Sequence, residues 1–244
     1  MEVGKYKFIP DRKTAVIATL IVLSLTSLGF WQVSRLNEKL GIENQINKKN
    51  SAEILDLNTD PLSDNTSDFK YRKVRVKGHF VSEGVTYIDN MAHNGDYGFY
   101  VYAPFKVEDS EKTILVNQGW IPYAGSRTNL PDVQFSTESQ LIEGSIRIPS
   151  KRPFVPSSVD ELKIRDKNLW LYMDLEKYAK EAPFQIYPFV IYQDSQDNSS
   201  FVREWPVFNS KAAMHMGYAI MWFSLAVIAF CIFVFGNLRK NGGE

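Results

Sequence analysis

TAVIATLIVLSLTSLGFWQV, Thr14 to Val33, and AAMHMGYAIMWFSLAVIAFCIFVF, Ala212 to Phe235, bracket the rest of this chain. Neither contains Asp, Glu, Lys or Arg. At a rise of 1.5 Å per residue, about 20 helical residues cover the ~30 Å of a hydrocarbon core. One ionised group at mid-membrane would cost about 2.5 to 3.5 kcal/mol, so two windows free of charge predict two transmembrane helices rather than buried core helices. The expected layout is a tail over residues 1–13, helices over 14–33 and 212–235, one large domain over 34–211, and a tail over 236–244.

The first window is longer than the apolar region of a signal peptide, and no small-residue cleavage pattern follows Trp31 and Gln32, so it reads as an uncleaved anchor. Only 13 residues precede Thr14, with no Arg- and Ser-rich presequence among them. A bacterial inner membrane is the simplest setting. Lys5, Lys7, Arg12, Lys13, Arg239 and Lys240 make the tails basic, although Arg35, Lys39, Lys48 and Lys49 weaken the bias around the first span. Long domains translocate largely regardless of charge, which favours a multi-pass protein with cytoplasmic tails and a periplasmic domain.

Six of the 28 basic and three of the 28 acidic residues lie in the tails, leaving the intervening segment about three units negative. Such a balance excludes a nucleic-acid surface. The single cysteine, Cys231, sits in the second apolar window, which excludes an intrachain disulfide and any cysteine-based metal site in the domain.

The domain reads as β structure. YRKVRVKGHF, Tyr71 to Phe80, sets Val74, Val76 and Gly78 on one face and Lys73, Arg75 and Lys77 on the other. Further strands are expected at Val85–Asp89, Gly98–Lys106, Thr113–Ile121, Gln140–Ile148, Leu169–Met173 and Gln185–Tyr192. Turn formers separate them, among them Asn94-Gly95-Asp96 and the run Pro149 to Pro156. Seven short strands predict a mainly antiparallel sandwich or open barrel. Asp174 should cap one short helix ended by Pro183, and Arg35 to Asn50 should continue the first span as a polar helix. Asn58 to Asp68 and Asp194 to Ser200 read as polar loops.

No nucleophile-base pattern, phosphate loop or H-E-x-x-H occurs, and His79, His93 and His215 are the only histidines, so no enzymatic activity is expected. The notable side chains gather at the two helix ends that would share one membrane surface. On the first helix Gly29, Gln32 and Leu36 share a face, with Arg35 beside it; on the second, His215, Tyr218 and Trp222 share another. Small Gly29 and Ala219 would permit close approach. Trp31, Tyr218 and Trp222 also suit an aromatic belt, and Arg35 could snorkel to headgroups. His215 stands out because a membrane imidazole is uncommon and often a ligand, yet a helix start near a wet interface also tolerates it.

The two helix segments that hold these residues and three further motifs resemble the Surfeit-locus family of cytochrome c oxidase assembly factors. LGFWQVSRLNEK (Leu28–Lys39) resembles the family's first-helix motif, and HMGYAIMWFSLA (His215–Ala226) its second-helix motif. YGFYVYAPF (Tyr97–Phe105), LVNQGWIP (Leu115–Pro122) and EGSIRIP (Glu143–Pro149) resemble its domain motifs in order. One departure is Gln118, where the family pattern has Arg. The resemblance implies help in heme a insertion into, or maturation of, the oxidase catalytic subunit. It implies that subunit, the heme a synthesis enzymes and the lipid bilayer as partners. It further implies transiently bound heme a, with His215 as iron ligand and Arg35, Trp31, Gln32, Tyr218 and Trp222 around it. A scaffold that never binds heme, or a tethered periplasmic enzyme or sensor, are the alternatives.

Overall fold

A computed structural model describes residues 2–3, 6–60, 66–125, 129–149, 168–194 and 200–240. Nearly all of the Pro149–Pro156 break and most of the Asp194–Ser200 loop lie outside them, as do residues 61–65 of the Asn58–Asp68 loop. The chain forms two compact units, Met1–Gln45 with Val207–Glu244, and Ile46–Pro206.

The first unit is a helix pair closed at the chain ends by a small sheet. Helix α1 runs from Arg12 to Asn50 without a break, so the polar stretch after Arg35 does continue the apolar one. Strands β1 (Glu2–Val3) and β2 (Tyr6–Phe8) precede it. Helix α3 (Ala212–Gly236) is followed by β11 (Leu238–Lys240), which pairs antiparallel with β2. The chain ends therefore meet, and the tails, read from sequence only as basic segments, form a β1-β2-β11 sheet. Both helices are long and apolar enough to cross a membrane, and only 6% and 11% of their most apolar windows are buried. That exposure separates them from the core helices of a soluble domain, which hide their apolar surface.

The second unit carries the seven expected strands: β4 (Lys73–Phe80), β5 (Thr86–His93), β6 (Asp96–Val107), β7 (Thr113–Pro122), β8 (Gln140–Arg147), β9 (Leu169–Trp170) and β10 (Ile186–Gln193). A further two-residue strand, β3 (Leu55–Asp56), lies beside β4. The architecture is neither a sandwich nor an open barrel. Strands run in the order β4-β8-β10-β7-β6, and β6 then pairs back onto β4 through Gly78↔Val107, His79↔Lys106 and Phe80↔Phe105, closing a five-stranded barrel. Closure depends on Gly78, because a Cβ there would collide with the Lys106 carbonyl oxygen. Pairing is mainly antiparallel, with β3–β4, β5–β9 and β7–β10 parallel.

Alternation places the side chains. In β4, Val74, Val76 and Phe80 are buried while Arg75 and Lys77 are exposed. Val76, Phe99, Phe105, Ile142, Phe189 and Ile191 belong to the barrel core, all fully buried. Each such side chain contributes about 1.5–3 kcal/mol by leaving water. A second cluster, including Leu115, Tyr102, Val190 and Trp170, buries the opposite face of β7, so every residue from Thr113 to Ile121 is hidden. Tyr178 of helix α2 (Leu175–Glu181) belongs to that cluster. As expected, Asp174 caps α2, its Oδ1 accepting from the Lys177 N–H at 2.9 Å.

Candidate functional site

Two rows of side chains make the contact between α1 and α3. On α1, Gly29, Gln32 and Leu36 recur at three- and four-residue spacing, and Gln32 and Leu36 are 9% and 5% exposed. On α3 the buried positions are Ala219 and Ala226, with His215 and Phe223 in the same row at four-residue steps. Gly29 faces Phe223 so closely that a Cβ would lie 2.5 Å from the ring. Phe30 holds that ring edge-on, centroids 5.4 Å apart. Small residues thus bring the backbones together, as the sequence suggested, although the main steric partner of Gly29 is Phe223 rather than Ala219.

One helical turn beyond Gly29, Gln32 meets His215. The imidazole Nδ1 lies 2.9 Å from Gln32 Oε1. With the amide so oriented, the oxygen can only accept, so Nδ1 carries the proton and donates it. A neutral ring then leaves a lone pair on Nε2, and this nitrogen has no partner among the described residues. The ring is half-buried. A half-buried imidazole, its tautomer fixed by a buried amide, is the arrangement that readies a histidine for a metal.

The remaining candidates lie around this pair without joining it. Arg35 is exposed, bound through Nη1 to Glu38 Oε2 at 2.7 Å, and its guanidinium carbon sits 6.0 Å from the Trp31 ring centroid. Trp31 and Tyr218 are exposed, and Trp222 is half-buried. Sequence reasoning missed Phe223 and Glu38. Phe223 is eight residues from His215 and four from Ala219, and Glu38 is three from Arg35, so helical spacing carried both signals.

In the barrel, Gln118 is 3% exposed. Arg203 reaches it from a neighbouring segment, Nε donating to the Gln118 carbonyl at 2.7 Å and Nη2 to Oε1 at 3.5 Å. A guanidinium therefore stands next to this position even though the residue itself is neutral. Trp120 is buried as well, its Nε1 donating to the Met91 carbonyl at 2.7 Å. A cleft of about 510 Å³ beside β5 is lined by Ser82, Tyr87, Asp132, Gln134 and Asn168, among others, with no histidine or cysteine among the described lining residues. No group of three or more His, Cys, Asp or Glu among the described residues is placed to hold a metal ion.

Fold and site together define a chain in which a closed β-barrel lies, in sequence, between two apolar helices that meet through a hydrogen-bonded amide–imidazole pair. The SURF1 family matches residues 19–227, and the chain belongs to that family. It is 32% identical over 224 residues to the SURF1-like protein of Rickettsia bellii, covering 88% of this chain and 86% of that protein. The SURF1-like protein of Rickettsia prowazekii is 30% identical over 236 residues, covering 93% and 89%. Surfeit locus protein 1 of Xenopus tropicalis is 29% identical over 242 residues, covering 91% and 75%.

Proposed function

We propose that the protein is an assembly factor for cytochrome c oxidase, set in a bacterial inner membrane with its barrel in the periplasm, and that His215 holds heme a on its way to the oxidase catalytic subunit. The observation that supports this most is the Gln32–His215 bond, which leaves Nε2 bare beside a lipid-facing helix pair. Heme a suits such a place: its iron takes an imidazole, its apolar tail belongs in lipid, and its propionates belong at the interface. Here it is cargo supplied by the heme a synthesis enzymes, so the chain performs no turnover.

Each side chain then has one task. His215 offers the lone pair, Gln32 holds the ring in one tautomer, and Trp31 and Trp222 give flat apolar surface for the macrocycle. Tyr218 stands one turn along α3 from His215. Arg35 serves a propionate only by leaving Glu38, an exchange between exposed partners that contributes no more than about 1 kcal/mol.

That same commitment of Arg35 favours a second reading, in which the helices hold the nascent oxidase subunit without heme. Complementation of a bacterial strain lacking its own copy tests the shared part. Full-length protein should restore the a-type heme signal of the oxidase in membranes, and the 51–209 segment alone should not. Full restoration by that segment would reject an assembly role for the helices.

A further inference from the structure

Alternation along β8 turns Ile146 into the barrel core and Arg147 outward, where the register sets it opposite Val190 and diagonal to Tyr192 of β10. The guanidinium is half-buried and packs against two rings, its carbon 4.8 Å from the Tyr71 centroid and 5.6 Å from that of Tyr192. Tyr71 adopts a left-handed backbone there, φ 73°, a strained conformation for a bulky residue, and its N–H donates to the Ile146 carbonyl at 2.9 Å. Arg147 nevertheless forms no ion pair among the described residues, and its one hydrogen bond among them runs from Nη1 to the Ile146 carbonyl at 3.3 Å. The carboxylate that acts on its charge, Asp194, is held by Lys73, whose Nζ lies 2.6 and 2.5 Å from the two oxygens. Arg203 is turned instead to the carbonyls of Gln118 and Asp194. Tyr192 adds a donor, because its oxygen already accepts from the Tyr102 O–H at 3.1 Å and its own proton has no acceptor among the described residues.

We propose that Arg147, with Tyr71 and Tyr192 against it, is a seat for an acidic side chain of a partner polypeptide. Charge complementarity is the first argument. Stacking covers the faces of a guanidinium and leaves its N–H edge to donate, and a planar carboxylate matches that edge with two parallel hydrogen bonds. The rings also hold the fork in place before anything binds, which lowers the ordering that binding must impose. The surroundings are the second argument. Trp205 lies 4.6 Å from the Tyr192 ring and 5.6 Å from Tyr100, with its Nε1 donating to the Gln193 carbonyl at 2.8 Å, so half-buried aromatic surface continues beside the cation. Arg, Tyr and Trp in well-packed settings are the residues that dominate binding between polypeptides. The seat lies wholly within the barrel unit and rests neither on heme binding nor on membrane insertion.

The test uses full-length protein in detergent with ¹⁵N-labelled arginine and tryptophan. Arg147 Nε–H and Trp205 Nε1–H are assigned by their loss in Arg147→Lys and Trp205→Phe. The probes are the capped tripeptide acetyl-Ala-Glu-Ala-amide, its Gln counterpart and inorganic phosphate. The Glu peptide should shift both signals saturably, and the Gln peptide should not. Arg147→Lys keeps the charge and loses the fork, so peptide affinity read at Trp205 should fall about tenfold or more. Tyr71→Gly, which relieves the backbone and removes one ring, should weaken binding several-fold. Lys177→Gln, which removes a cation stacked on Trp170 at 4.3 Å, should bind as wild type does. No saturable shift with the Glu peptide, equal shifts with the Gln peptide, phosphate bound as tightly, undiminished affinity in Arg147→Lys or Tyr71→Gly, or an equal loss in Lys177→Gln each overturns the proposal.

Discussion

Gly29→Ala should disconnect His215 from Gln32 without touching either residue. The added Cβ would stand 2.5, 2.7 and 2.8 Å from Cε1, Cζ and Cδ1 of Phe223, where carbon atoms rest at about 3.5–4.0 Å. The ring, backed by Phe30, must withdraw by about 1 Å or push the helices apart by as much. Three residues away, an equal shift carries the 2.9 Å Nδ1–Oε1 contact out of hydrogen-bond range. Overpacking costs about 1–3 kcal/mol and the lost bond about 1 kcal/mol. Imidazole ¹⁵N spectra of protein in detergent, with His215 assigned by its loss in His215→Asn, report the tautomer. Wild type should show protonated Nδ1 and bare Nε2; Gly29→Ala should show a tautomer mixture and a lower thermal midpoint. Phe223→Ala added to Gly29→Ala should restore the single tautomer. An unchanged spectrum and midpoint in Gly29→Ala would refute the reasoning.

In the barrel, Gly78→Ala should lower stability by at least about 2 kcal/mol in denaturant titrations, because the new methyl meets backbone at the closing seam. Gly41→Ala, in open space on α1, should be neutral or gain up to about 1 kcal/mol. Burial pushes the Tyr178 phenol above its ordinary pKa of 10.0 while its O–H donates to the Gly84 carbonyl at 2.8 Å. Its contribution is therefore complete below pH 10.0 and is lost as pH rises through the folded value, once the unfolded chain alone can ionise. Tyr178→Phe should flatten alkaline destabilisation in a pH series of unfolding midpoints, leaving the part due to Tyr102, which burial shifts the same way. A periplasmic reporter should be active when fused after Asn65 and silent after Glu244; the reverse would invert the topology.

Period-two alternation revealed β4, which has one face in the core, apolar runs between turn formers marked the other six strands, and the Asp174 cap and Pro183 stop marked α2. Closure was not legible in this way. Gly78 filled a place in the alternation of β4 like any small residue, and its need to admit a carbonyl from β6 is a long-range fact that local pattern does not carry. The parallel pairing of β7 with β10 is likewise set by chain crossing. The tail sheet was hidden because β1, β2 and β11 are two or three residues long, too short for periodicity. At the site, the expected topology brought Gln32 and His215 to one level, and helical spacing set Gln32 with Gly29 and Leu36 but His215 with Tyr218 and Trp222. The Gln32–His215 hydrogen bond required the helix rotation that Gly29 and Phe223 impose, and that rotation buries Ala219 while leaving Tyr218 exposed.

The most direct test of the account is the absorption spectrum of full-length protein purified in detergent after co-expression with the heme a synthesis enzymes. Wild type should carry a heme a spectrum, and His215→Ala, present in the membrane at the same level, should lose it or shift it. Equal heme content and an identical spectrum in the two proteins would contradict ligation by His215 and leave the helices as a scaffold alone.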